Sequence, residues 1–185
     1  MAAPRRICVY CGAAPGKSAA YTDAARKLGS SLAAQGIQLV YGGGGTGMMG
    51  AVADAVLEGG GHAIGVIPRK LMDLELAHQG VQELYVTEDM HSRKMMMAKL
   101  SGGFITMPGG WGTLEELSET ATWAQLGYHG KPMGLLNTGG FFDPLLGWIE
   151  HARQEGFVRI PTSELLYCET DPDALVAKIS GDMLS

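Results

Sequence analysis

A chain of 185 residues with 46% hydrophobic side chains suits one compact α/β domain and is too apolar for a disordered chain. Its net charge of -5 and pI near 5.5 argue against a nucleic-acid or anionic-membrane surface, though not against a local basic pocket for a phosphate. No apolar run is long enough to span a bilayer and no signal-peptide core is present, so a cytoplasmic protein is expected.

The first predicted strand covers residues 7–10, inside "RRICVYCG". Cys8 and Cys11 have the spacing of a redox or zinc motif, but strand positions three apart face opposite sides, and no second CxxC follows. The five histidines form no spaced ligand set either, so no metal is expected. The stretch from Gly12 to Gly16, followed by Lys17 and Ser18, looks like a P-loop but is one residue short. A turn ahead of a helix starting near Ser18 is expected instead. Ala20, Ala24, Leu28 and Leu32 recur every four residues, as on one helix face.

A second strand over 38–41 runs into "GGGGTGMMG". There Gly45, Gly47 and Gly50 match G-x-G-x-x-G, and Val52, Val56 and Leu57 continue a helix. A dinucleotide site also needs an acid at the end of the next strand. That strand, 63–67, ends in Pro68-Arg69-Lys70, where only Arg69 could meet a phosphorylated ribose. These glycines serve either close approach to a nucleotide or helix–strand packing, and both readings stand at this point. Residues 70–82 are polar and irregular, which predicts a loop or short helix over the sheet edge. Further strands are predicted at 83–86, 104–107 and 133–136. Leu117, Trp123 and Leu126 mark a third helix, and Phe142, Leu146 and Ile149 a fourth.

Such alternation predicts a doubly wound parallel sheet in a Rossmann-like three-layer sandwich, one domain over 1–185. Ligands in such folds sit at the carboxyl ends of strands, where the glycine-rich stretches fall. In "MPGGWGTLEELSE", Gly109 and Gly110 permit a tight turn and Thr113 can cap the following helix. Unpaired N–H groups in its first turn would make an anion site. Thr113 and Glu116 also fit a capping box, so Glu116 serves either the helix or chemistry.

"PGGWGTLEE" at residues 108–116 resembles the PGGxGTxxE signature of the LONELY GUY (LOG) family, and "MHSRK" at 90–94 its second motif. "GGGGTGMMG", "GVIPRKLM" and "TWAQLGYHGKPMGLLN" fit as well, so the resemblance covers nearly the whole chain. It implies cleavage of the N-glycosidic bond of N6-substituted AMP to free base and ribose 5-phosphate, without a cofactor, by a homodimer. Related proteins have carried a lysine decarboxylase label, but no lysine here has a recognisable pyridoxal-phosphate context. By the resemblance, Arg93 and Glu116 match the catalytic pair. Glu75, Lys94, Pro108, Gly109, Gly110, Trp111, Gly112, Thr113 and Thr122 match substrate contacts, with Gly43, Gly44 and Gly45 beside them. Relatives usually carry serines after Cys-Gly where this chain has Ala13 and Ala14, so that loop offers no hydroxyl contact. In "SRKMMMAKL" the cations lie on one helix face and the methionines on the other, as core or subunit contact.

Overall fold

The computed structural model describes residues 4–183 except 73, 75 and 76. Seven parallel strands form one sheet, and the element order alternates strand and helix. The strands are β1 (Arg6–Tyr10), β2 (Gln38–Tyr41), β3 (Ala63–Pro68), β4 (Glu83–Thr87), β5 (Gly103–Thr106), β6 (Met133–Leu136) and β7 (Tyr167–Glu169). Their spatial order, β4-β3-β2-β1-β5-β6-β7, grows outward in both directions from β1. In register, Val9 of β1 lies beside Tyr41 on one flank and Ile105 on the other. The chain therefore changes direction across the sheet between β1 and β5, and the loops leaving these two strands part to open a crevice.

Strand alternation divides the core into two layers. Ile7, Val9, Leu39, Tyr41 and Ile105 face a cluster with α1 (Ala19–Ala34), α2 (Gly47–Glu58) and α8 (Pro172–Asp182). Cys8, Tyr10, Val40 and Phe104 face the opposite cluster with α4 (Met90–Leu100), α5 (Trp111–Gln125) and α6 (Asp143–Gln154). Cys8 and Cys11 fall in different layers, as their spacing on a strand requires. The α1 helix begins where expected, with the Ser18 side chain accepting from the Ala20 N–H at 3.3 Å.

Three expectations need correction. The edge strand β7, the short α7 (Thr162–Leu165) and α8 lie beyond the last predicted element. Tyr167 and Glu169 are half-buried and Cys168 exposed, so β7 carries little apolar signal, although α8 buries Leu175, Val176 and Ile179 against the sheet. Leu126, assigned to an apolar helix face, caps α5 and is 64% exposed. The third correction concerns Thr113, which does not cap α5. The helix starts at Trp111 with Gly110 as its N-cap, so Thr113 is already inside the first turn and the capping box does not form.

The stretch expected over the sheet edge is part helix, part loop. It forms α3 (Arg69–Met72) and then a lone antiparallel bridge between Ala77 and Gly44. No helix of the described residues is long and apolar enough to cross a membrane.

Candidate active site

The crevice between β1 and β5 holds a cavity of about 440 Å³. Its floor is stitched by backbone: the Met107 N–H donates to Tyr10 O at 2.8 Å, and the Gly12 N–H to Pro108 O at 3.1 Å. At Gly109 a Cβ would stand 2.1 Å from Thr113 Oγ1 and 2.9 Å from the Gly12 nitrogen, so only glycine lets the two loops meet. Gly47 has φ +60°, and a Cβ there would stand 1.9 Å from the Ala13 carbonyl oxygen. The second glycine-rich stretch thus packs against the first.

The α5 helix aims its N-terminus into this cavity. Its first intrahelical bond runs from the Leu114 N–H to Gly110 O at 3.0 Å, so the N–H groups of Trp111, Gly112 and Thr113 have no intrahelical acceptor. A Cβ at Gly110 or Gly112 would meet nothing within 4 Å. The glycines therefore leave room for an anion, which the helix dipole also favours.

Two buried side chains on different helices converge there. Glu116, 7% exposed, projects from the second turn of α5, and Arg93, 5% exposed, from α4; both line the cavity. The α5 helix is fixed to β1 by a relay in which the Thr120 hydroxyl donates to Glu116 O at 2.7 Å. That leaves Tyr10 Oη to donate to Thr120 Oγ1 at 3.1 Å. Arg93 is fixed by backbone: its Nε donates to Val66 O and its Nη2 to Gly42 O, each at 3.1 Å. A Cβ on Gly42 would stand 2.2 Å from Arg93 Nη2, so this glycine is the socket of the guanidinium. Cys11 senses the site. Burial raises its thiol well above the ordinary value, the Glu116 charge raises it further, and Arg93 opposes the shift. A thiol held neutral in this way is no nucleophile.

Pro108, Gly109, Gly110, Gly112, Thr113, Arg93 and Glu116 all line the cavity. Trp111 is 86% exposed and lies over a neighbouring apolar groove with Leu114 and Phe142. Thr122 is exposed and donates to Ser118 O of its own helix. Lys94 is buried between two glutamates of α5 and does not line the cavity. Gly43, Gly44 and Gly45 lie behind the wall, and Gly42 takes the place on it. Gly43 packs on Ile67 and Leu84, and the Gly45 carbonyl fills the space that a side chain at Gly50 would need. Glu75 lies outside the described residues. Sequence motifs do not point to Tyr21 and Phe141, whose rings meet edge to face at 5.9 Å at the cavity wall. They come from α1 and from the loop after β6, and only the fold makes them neighbours.

The chain from residue 49 to 179 matches a family model described as "Possible lysine decarboxylase". It is 51% identical, over 95% of its length and 72% of the relative's, to the cytokinin riboside 5′-monophosphate phosphoribohydrolase LOG of Oryza sativa subsp. japonica. It is 50% identical to LOG3 of Arabidopsis thaliana, a protein of the same name, over 95% of this chain and 81% of the relative. Among solved structures, a molybdenum cofactor binding protein from Rippkaea orientalis superposes with a TM-score of 0.75 at 22% identity, over 99% of both chains. The molybdenum cofactor carrier protein of Chlamydomonas reinhardtii gives 0.73 at 23%, over 98% of this chain and 99% of that one. At such identities the likeness is one of fold.

Proposed function

The chain belongs to the LONELY GUY family of cytokinin riboside 5′-monophosphate phosphoribohydrolases, and we propose that it hydrolyses N6-substituted adenosine 5′-monophosphates, and AMP, to free base and ribose 5-phosphate. The observation that carries the reading is a buried carboxylate, Glu116, one helical turn from a helix N-terminus whose cap, Gly110, brings no side chain, in the same cavity. In this reading the 5′-phosphate rests on the N–H groups of Trp111, Gly112 and Thr113, which places the ribose beyond it toward Glu116. As the bond from C1′ to the base nitrogen breaks, positive charge grows on the ribosyl ring. The Glu116 carboxylate stabilises that charge or takes a proton from the water that attacks C1′. The base leaves with the bonding electron pair and is protonated, and the water oxygen becomes the new C1′ hydroxyl. Arg93, held by two carbonyls, keeps donors for the phosphate or for Glu116.

A broader nucleotide 5′-monophosphate nucleosidase is the second reading. It draws on Ala13 and Ala14, which bring no hydroxyl to the cavity and leave the base less specified. A nucleotide-binding protein without hydrolase activity would keep the helix N-terminus but need no carboxylate beside it. Incubation with AMP, N6-isopentenyl-AMP, GMP and CMP, followed by chromatography for free base, tests all three. Release from the substituted nucleotide supports the first reading, equal release from unrelated bases the second, and none the third.

The homodimer belongs to the proposal. Its support is an apolar surface on the α4–α5 side, where Met95 is 44% and Tyr128 78% exposed beside Trp123.

A further inference from the structure

Arg93 meets oxygen at two of its nitrogens and sulfur at the third. Its Nε and Nη2 donate to Val66 O and Gly42 O, each at 3.1 Å, while its Nη1 lies 3.8 Å from Met90 Sδ. The donors that Arg93 keeps for phosphate or for Glu116 therefore sit chiefly on Nη1. A thioether is a weak acceptor and competes little for them. Met90 opens α4 three residues before Arg93, which puts the two on one helix face. It does not line the cavity, so its sulfur touches the guanidinium from beside the site rather than across it.

Met90 combines this contact with access. Met48, Met49, Met97, Met107 and Met133 are each 6% exposed or less, whereas Met90 is half-buried at the start of its helix. Met95, 44% exposed, faces the apolar outer surface instead. Oxidation of a methionine sulfur adds a polar oxygen to an apolar side chain. Beside a guanidinium that oxygen accepts a charge-assisted hydrogen bond, far stronger than the contact to sulfur.

We propose that Met90 is a modification site, whose sulfoxide oxygen captures Arg93 Nη1 and draws it away from the cavity, slowing the enzyme reversibly. The proposal rests on the hydrolase reading above. The oxidant is a peroxide. The Met90 sulfur attacks one peroxide oxygen, the S–O bond forms as the O–O bond breaks, and the departing hydroxide takes the remaining proton and leaves as water. The sulfur loses two electrons and the peroxide gains them. Two thiols reverse the step through a methionine sulfoxide reductase, leaving the thioether, a disulfide and water.

Hydrogen peroxide is applied to the parent, Met90→Leu and Met95→Leu, while AMP turnover and the mass of the peptide carrying residue 90 are followed together. Each protein is compared with its own untreated sample, so any effect of leucine itself cancels. The parent and Met95→Leu should lose about tenfold or more in kcat as the peptide gains one oxygen, and Met90→Leu less than about twofold. Dithiothreitol alone reverses mild oxidation of Cys11 or Cys168 and should not restore the rate, whereas dithiothreitol with both methionine sulfoxide reductases should. An equal fractional loss in Met90→Leu overturns the proposal, and so does recovery with dithiothreitol alone. Full oxidation of Met90 without loss of rate, or a Met90 that stays reduced while Met95 is converted, overturns it too. If the untreated parent releases no base from AMP or N6-isopentenyl-AMP, the hydrolase reading fails instead. The contact is then judged by melting temperature: peroxide should shift the parent and Arg93→Ala by different amounts, and equal shifts overturn it.

Discussion

Glu116 is where architecture and chemistry make opposite demands of one side chain. As a helix cap alone, it would tolerate glutamine, which also completes a capping box. The structure removes that role, because Gly110 rather than Thr113 caps α5. Glu116→Gln should therefore lose on the order of a hundredfold or more in kcat while still binding AMP through backbone N–H groups. Glu115→Gln should be clearly more active, since Glu119 continues to hold Lys94. Equal activity of the two in a base-release assay would remove Glu116 from the mechanism. Arg93 offers a second test, because its placement depends on a glycine. Arg93→Ala should abolish most turnover with the fold intact. Gly42→Ala, which puts a methyl 2.2 Å from Arg93 Nη2, should displace the guanidinium and imitate that loss in kcat. If both keep near-normal rates, Arg93 serves β2 and β3 rather than the substrate.

At the scale of elements, the α5 N-terminus predicts which substrates are accepted. In the proposed reading its N–H groups hold the 5′-phosphate and nothing else of the nucleotide, so adenosine and its N6-substituted analogues should be poor substrates beside their monophosphates. Comparable kcat/KM for nucleoside and nucleotide would show that the helix start does not bind phosphate. The α1–α2 pair illustrates the same dependence on backbone in the scaffold. At Gly29 a Cβ would stand 2.4 Å from Val52 O and 2.8 Å from Ala55 Cβ, so the helices touch through a missing side chain. Gly29→Ala should force them apart and cost about 1–3 kcal/mol, as overpacking does. Thermal unfolding should show this as a melting point lowered by roughly 2–4 °C for each kcal/mol. An unchanged melting point would mean that the helices part freely.

For the whole molecule, the open question is how many chains make the working unit. Exposed Met95 and Tyr128 beside half-buried Trp123 leave an apolar surface on the layer that also carries Arg93 and Glu116. A homodimer covering that side should scatter light as twice the 19.5 kDa chain mass. Tyr128→Lys should shift the scattering toward the single chain, because a buried charge opposes association. Monomeric behaviour of the parent at micromolar concentration would exclude this assembly.

The alternation of apolar runs with helical periods determined a parallel α/β sheet, because each strand buried on both faces has to read as a short continuous apolar run. Six of the seven strands were legible as apolar runs, β4 among them although its Leu84, Tyr85 and Val86 are exposed at the sheet edge; β7, with Cys168 exposed and its neighbours half-buried, was not. The sequence also determined that Gly109 and Gly110 stand just before a helix start, with Glu116 in its second turn, since glycines at such a turn leave backbone donors without intrahelical acceptors. It could not say which loop meets which. That Gly42 seats Arg93, that Tyr21 and Phe141 become neighbours, and that Lys94 turns from the cavity to two glutamates are decided by strand order and by the rotation of α4 and α5. Local spacing fixes the face a residue occupies on its own helix or strand, and only the packing of one element on another decides what that face meets.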